Sequence, residues 1–367
     1  MNKNYFLILI LCLMFLLVST VSANPYDDSN INSTYEDYNN KINENKFINN
    51  DYDTSSNGYV NDTSSNWYVN GSRNEDGNGT MENPFNNLES SLIHSNDGDT
   101  IYIASGTYKG IKNLNLTINK RLNFINYGGE VIFDGEHKYT IFNVTPNSLN
   151  ITGLTFTNAY SITNGGCINF ETGLINSKIN ANFINCSAFY GGAIYFNGDV
   201  INNIFIGSFI NNTALGHGGA IYLNSKLKNN LWDIICNGNL AHFEGGAIYV
   251  DADSINNTFI GLFTNNTANS VSGGAIIFNK TSNNDIFSGN FYNNTATYYG
   301  GAIKFYDKVN YCLFSGNFSY NIVTAGSCAA LCFDYNSVVE YCNFSGNFIH
   351  NHLDDFQTGE IGFFWYC

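Results

Sequence analysis

The chain has 367 residues and a formal net charge of −15; charged residues make up 12 % of it, while Gly (35), Phe (29) and Tyr (25) are abundant. Helix surfaces need Glu, Lys and Arg, so this composition argues against a helical protein and for many short strands joined by turns. Arginine is confined to Arg73 and Arg121, which leaves no basic patch to neutralise phosphates and argues against a nucleic-acid partner.

Residues 1–23 read as a signal peptide. Lys3 supplies a positive start, Phe6 to Val18 forms an apolar run, and Val21-Ser22-Ala23 offers small residues for cleavage. That run is short for a membrane span, which needs about 20 residues, and no later segment is long and apolar enough to be one. The mature chain is therefore expected outside the cytoplasm, extracellular or at the cell surface, and numerous Asn-x-Ser/Thr sequons fit that compartment. Residues 24–65, rich in Asn, Asp, Ser and Tyr without a sustained period, read as a disordered linker.

Order is expected over 66–367, with an N-terminal cap and first coils at 66–150 and a repeat array at 151–367. From Gly165 onward the chain repeats itself. The pairs Gly165-Gly166, Gly191-Gly192, Gly218-Gly219, Gly245-Gly246, Gly273-Gly274 and Gly300-Gly301 lie 26, 27, 27, 28 and 27 residues apart, and all but the first continue as Gly-Gly-Ala-Ile. Half a repeat later comes Phe-x-Gly-x-Phe, whose second Phe is Phe209, Phe263, Phe291, Phe318 or Phe348. An Asn follows three residues on, at Asn212, Asn266, Asn294, Asn321 and Asn351; a degenerate copy in the same register carries Cys236 and Asn239.

A helical repeat would space its apolar residues at 3.6, and two glycines would penalise each helix by roughly 2 kcal/mol. Here the spacing is two. Ile194, Ile221, Ile248, Ile276 and Ile303 alternate with Tyr195, Tyr222, Tyr249, Ile277 and Lys304. A position that accepts Lys is expected to face water, which turns the isoleucines inward. Three short strands per coil of ~27 residues, stacked at ~4.8 Å, give an all-β, right-handed parallel β-helix of about ten coils. Equivalent residues then form ladders: Ile and Phe fill the interior, while Asn sits where the chain turns and satisfies backbone groups there.

The paired Gly-Gly-Ala-Ile and Phe-x-x-Asn motifs resemble the repeat of chlamydial polymorphic membrane proteins and are similar to adhesin-like surface proteins of methanogenic archaea, over roughly residues 150–351. Upstream, Trp67-Tyr-Val-Asn-Gly through Gly79-Thr-Met-Glu-Asn-Pro84-Phe85 to Gly98-Asp99-Thr100-Ile101-Tyr102-Ile103 resembles the opening of pectate-lyase-like β-helix domains. There this stretch implies an N-terminal cap helix, here about Asn86 to His94, and a first coil. The chain departs from the polymorphic membrane proteins in lacking a C-terminal membrane barrel, and from large archaeal adhesins in lacking following immunoglobulin-like modules.

Enzymes on this scaffold use clustered carboxylates with an Arg or Lys, or several Asp on one face, so catalysis has to be weighed. The repeat region has no Arg. Its acids, Asp199, Asp233, Asp251, Asp253, Asp285, Asp307 and Asp334, are read as turn residues. His350-x-His352 is read as an exposed turn pair rather than a metal site. Cys167, Cys186 and Cys236 are read as single buried substitutions in ladders. Cys312 and Cys342 stand at equivalent places in neighbouring coils, within bonding separation but in poor geometry, and Cys328-x-x-x-Cys332 lacks a partner pair for zinc. No catalytic residue, metal or cofactor is expected. The preferred function is a surface adhesin-like or structural protein that binds a carbohydrate or a surface protein of another cell through the outward ladder Tyr195, Tyr222 and Tyr249. The alternative is a polysaccharide lyase or glycoside hydrolase, which requires three or more acidic or basic side chains gathered on one sheet face.

Overall fold

The computed structural model describes residues 64–335, 337–354, 359 and 361–363; the signal segment, nearly all of the linker and Cys367 lie outside them. The chain winds into a parallel β-solenoid of about ten turns. Its strands fall into four sheets, of 15, 10, 7 and 7 strands among the described residues, and every named pairing is parallel.

One coil shows how the sequence dictates the path. Gly191-Gly192-Ala193 makes a corner, Ile194–Phe196 joins the ten-stranded sheet, and Val200–Ile201 joins a seven-stranded one. Ile204–Ile210 crosses the wide fifteen-stranded sheet, and Thr213–Ala214 joins the second seven-stranded sheet before the next Gly-Gly. The sequence reading allotted three strands to each coil and the structure has four. The difference lies at Asn202 and Asn211, which take φ 58° and 54° and fold the chain sharply at both ends of the wide strand. Each leaves a two-residue strand too short for a period-two pattern to reveal.

The glycine pair serves two needs. Gly191 has φ 60°, which glycine adopts without Cβ strain. The second glycine makes room for the next coil: a Cβ on Gly219 would lie 2.0 Å from the Gly246 carbonyl oxygen.

Inside, Ile194, Ile221, Ile248, Ile276 and Ile303 pair in register and are fully buried. Phe209, Phe263, Phe291 and Phe318 are buried as well, and Phe348 is partly so. Ring centroids stack at 4.8, 4.7 and 4.9 Å along Phe263, Phe291, Phe318 and Phe348, the spacing of neighbouring strands. Each such side chain stabilises the rod by roughly 1.5–3 kcal/mol.

At the N-terminal end, strand Asn66–Val69 pairs with Thr100–Tyr108. A short helix, α1 (Leu88–His94), follows; Asn87 caps it by accepting from the Ser90 N–H at 2.9 Å. Lys120 donates to the carbonyls of Leu92 and Ser95 at its other end, both at 2.6 Å. Phe85 and Leu88 join the core there.

Candidate functional site

Two buried columns of amides run along the repeats, one from Asn212 to Asn351 and a shorter one from Asn203 to Asp285. Asn212, Asn239, Asn266, Asn294 and Asn321 are buried, and Asn351 continues the series partly exposed. Asn212 Oδ1 accepts the Cys186 N–H, and from Asn239 onward each Oδ1 accepts both the backbone N–H and the Nδ2 of the Asn one coil back, as Asn239 does from Asn212 at 3.0 Å each. Each Nδ2 also donates to a carbonyl in the preceding coil, as Asn239 does to Phe209 at 2.9 Å. A second column escaped sequence reading: Asn203, Asn230, Asn257 and Asp285, linked by the same bonds. Its signal was the Asn-Asn doublet. The first Asn of each doublet takes the left-handed corner and the second turns its amide inward. Asp285 was assigned to a turn; it is instead the carboxylate member of this buried column, and burial raises its pKa to about 6.

The outward ladder is not a solvent face. Tyr195, Tyr222 and Tyr249 stack at 5.3 and 5.1 Å but are only 8, 8 and 6 % exposed. Lys304, which was expected to face water, is 1 % exposed. Period-two alternation places these residues outside the main core correctly, but it cannot register what leans over them. The residues just before each Gly-Gly and just after each strand form two walls flanking this floor. Tyr190 tilts against Tyr222 at 5.1 Å and His217 against Tyr249 at 4.6 Å. Tyr306, from the opposite wall, donates to Glu244 two coils away. The result is a second apolar cluster of Tyr195, Tyr222, Tyr249 and Ile277, with Tyr190 and Tyr306 packed against it.

The walls gather charge. The Tyr222 hydroxyl donates to Asp251 Oδ2 at 2.9 Å, and Asn279 Nδ2 donates to Asp251 Oδ1 at 2.6 Å. Lys304 Nζ lies 3.1 Å from Asp334 Oδ2 and about equally far, 4.9 and 5.0 Å, from the Tyr299 and Tyr306 ring centroids. Burial pushes the Glu244 carboxyl up, against the Tyr306 hydrogen bond and the Lys304 charge, and it pushes the His217 imidazole down. Their 3.6 Å approach is therefore a contact between groups both biased toward neutrality. Burial and the Asp251 charge raise the Tyr222 phenol. His217, Glu244, Asp251, Lys304 and Asp334 thus lie on one sheet face, which the turn reading of Asp251 and Asp334 did not anticipate. Glu244, Asp251, Lys304 and Asp334 already have a protein partner.

Other assignments also shift. Cys167 and Cys186, read as isolated fillers, form a disulfide with Cα atoms 6.3 Å apart. The corner at Gly166 packs against the backbone of Ser187, which brings the Gly-Gly-Cys turn beside the head of the first Asn column. Cys236, Cys312, Cys328, Cys332 and Cys342 carry free thiols. His350 stacks tilted on Tyr320 at 5.1 Å, and His352 Nε2 lies 3.1 Å from Asp354; no metal-ligating cluster occurs among the described residues.

Exposed aromatics lie elsewhere, and one set of them stands at the left-handed corners flanking the wide sheet. At one corner Asn176, Asn202, Asn229, Asn256 and Asn284 give way to Tyr311 and Tyr341; at the other, Asn265 and Asn293 give way to Tyr320 and His350. All keep φ between 51° and 58°. Asn tolerates this conformation, whereas a Tyr there costs of order 1 kcal/mol or more. The Tyr311 and Tyr341 rings stack at 4.8 Å and 10° while 58 and 75 % exposed. Tyr292 and Tyr320, also exposed, lie 5.4 Å apart across the sheet edge. Between the corners, Ser315, Asn343, Ser345 and Asn347 are exposed hydroxyls and amides.

No curated protein and no solved structure matches the chain. Residues 207–224, which run from the middle of a wide-sheet strand through Asn212 and Gly218-Gly219 to the end of the next inward Ile strand, match the family model of the Chlamydia polymorphic membrane protein repeat.

Proposed function

We propose that the chain is an exported, adhesin-like β-helix of the cell surface, whose coils wind with the right-handed sense usual for parallel crossovers, and that it binds carbohydrate on the lateral face of its C-terminal coils. The repeat match and the signal-like first residues support surface placement. One observation carries the binding reading: exposed, stacked tyrosines replace asparagine at strained corner positions, where a packing role would favour the asparagine. Flat rings with polar tips, beside a field of hydroxyls and amides, suit the apolar faces and hydroxyl edges of sugar rings. This moves the binding face from Tyr195, Tyr222 and Tyr249 to Tyr311, Tyr341, Tyr320 and Tyr292. On a glycan array, the Tyr311→Ala/Tyr341→Ala chain should lose at least tenfold in affinity, while Tyr222→Ala retains binding for as long as it remains folded. Unchanged binding by the double variant would remove the corner from the account.

The second reading, a polysaccharide lyase or hydrolase, is favoured by one observation: five ionisable side chains, His217, Glu244, Asp251, Lys304 and Asp334, gather on the face that carries the tyrosine floor. Turnover of a polysaccharide that disappears in Glu244→Gln would establish it in place of the first.

A further inference from the structure

Cys328 and Cys332 share one corner of the solenoid, and neither is the residue that the corner holds elsewhere. The first position is glycine in six preceding coils, Gly165 to Gly300, with φ between 57° and 67°. Cys328 keeps φ 64°, a conformation that a residue with a Cβ adopts only at a cost in stability. Four residues on, the outward floor position is Tyr249 or Lys304 in other coils and Cys332 here. The corner turns so tightly that a Cβ on Gly245 would stand 3.2 Å from Tyr249 Cβ, and one on Gly300 would stand 3.1 Å from Lys304 Cβ. In the Cys328 coil both Cβ atoms are present, and each carries a sulfur. The thiols are buried and within hydrogen-bonding reach of each other. Gly362, the ladder partner of Cys332, leaves the space that the Cys328 sulfur fills, since a Cβ there would lie 2.1 Å from it. Disulfides hold their Cβ atoms roughly 3.5–4.5 Å apart, a separation reached by opening this corner by a few tenths of an ångström.

We propose that Cys328 and Cys332 are oxidised to an intracoil disulfide as the exported chain folds. Two thiols lose two hydrogens and gain one S–S bond; the oxidant is a disulfide-form thiol compound, whose own S–S bond is cleaved to two thiols as it takes up both electrons and both protons. Cys332, whose sulfur lies 3.6 Å from Lys304 Nζ, attacks first and forms a mixed disulfide with the oxidant, releasing one thiol. Cys328 then completes the exchange by displacing the oxidant from Cys332. The bond explains why a strained cysteine stands in a glycine position at the corner where the second residue has also become cysteine.

The full chain, secreted from an expression host into an oxidising compartment, is denatured with an alkylating agent in the absence of reductant and mapped by peptide mass. The peptide spanning both residues should be unalkylated and lighter by two hydrogens than its reduced form, and it should take up two alkyl groups after reduction. Alkylation of both residues without reductant, or linkage of either to another cysteine, overturns the proposal. Cys328→Gly restores the corner residue of the other coils and should keep the fold; Cys332 in that variant should be alkylated without reductant, and its continued protection would also overturn the pairing.

Discussion

Asp285 stands where the second amide column would otherwise carry asparagine, and replacing it with asparagine tests how that column works. Its Oδ1 accepts from the Asn257 N–H at 2.7 Å and from Asn257 Nδ2 at 3.1 Å, while Oδ2 faces Ser282 Oγ at 2.6 Å. Burial outweighs these donors and raises the pKa from 3.8 to about 6. Because the folded state favours the protonated acid, the stability it contributes is complete below about pH 3.8 and is lost as the pH climbs to about 6. At pH 7 the loss amounts to roughly 3 kcal/mol, from 1.36 kcal/mol for each tenfold change in proton affinity. Asp285→Asn keeps the accepting oxygen and puts an amide donor toward Ser282 Oγ at every pH. Urea unfolding between pH 4 and 8 should show the variant more stable by about 2–3 kcal/mol at pH 7, with the two chains converging near pH 4. A parallel pH dependence, or a variant less stable at pH 7, would refute the burial argument.

Other perturbations follow from the same geometry. Asn239→Ala strips the acceptor from Asn212 N–H and Nδ2 and the donor from the Phe209 carbonyl; with buried groups left unpaired at about 1–3 kcal/mol each, the loss in urea unfolding should be roughly 3–5 kcal/mol, and a loss below 1 kcal/mol would contradict it. Gly219→Ala drives a Cβ to 2.0 Å from the Gly246 carbonyl and 2.7 Å from the Leu240 backbone. Neighbouring coils must separate, so circular dichroism should show lost strand content or a thermal midpoint lowered by more than ten degrees. Tyr341→Asn restores the residue that upstream coils hold at φ 57°; it should leave stability unchanged or raise it by about 1 kcal/mol while weakening glycan binding, and a clear destabilisation would mean that the ring has a packing role.

The main core was legible because its information is periodic. Ile194 to Ile303 and Phe209 to Phe348 recur at one spacing, and alternation by two fixes which side turns inward. Cover was not legible. Whether Tyr222 and Lys304 meet solvent depends on Tyr190, His217, Glu244 and Tyr306, which come from the variable residues before the glycine pair and after the strand and lean across from neighbouring coils. The second amide column stayed hidden for a different reason: in an Asn-rich chain, a buried Asn203 and a corner Asn202 differ only in φ and facing. The Cys167–Cys186 disulfide links a corner to an amide column that become neighbours only when the coil closes, and linear spacing does not carry that proximity. Tyr311 and Tyr341 could have been found by asking which residues interrupt the asparagine corner.

The central claim is that this solenoid binds carbohydrate at its surface rather than cleaving it. Incubating the full chain with a panel of pectins and cell-surface polysaccharides, and recording both retention and product formation, tests that claim directly. The account predicts saturable retention of at least one polymer with no new reducing ends and no unsaturated products. Turnover abolished by Glu244→Gln and unaffected by Tyr311→Ala/Tyr341→Ala would contradict it and place the function on the covered tyrosine floor.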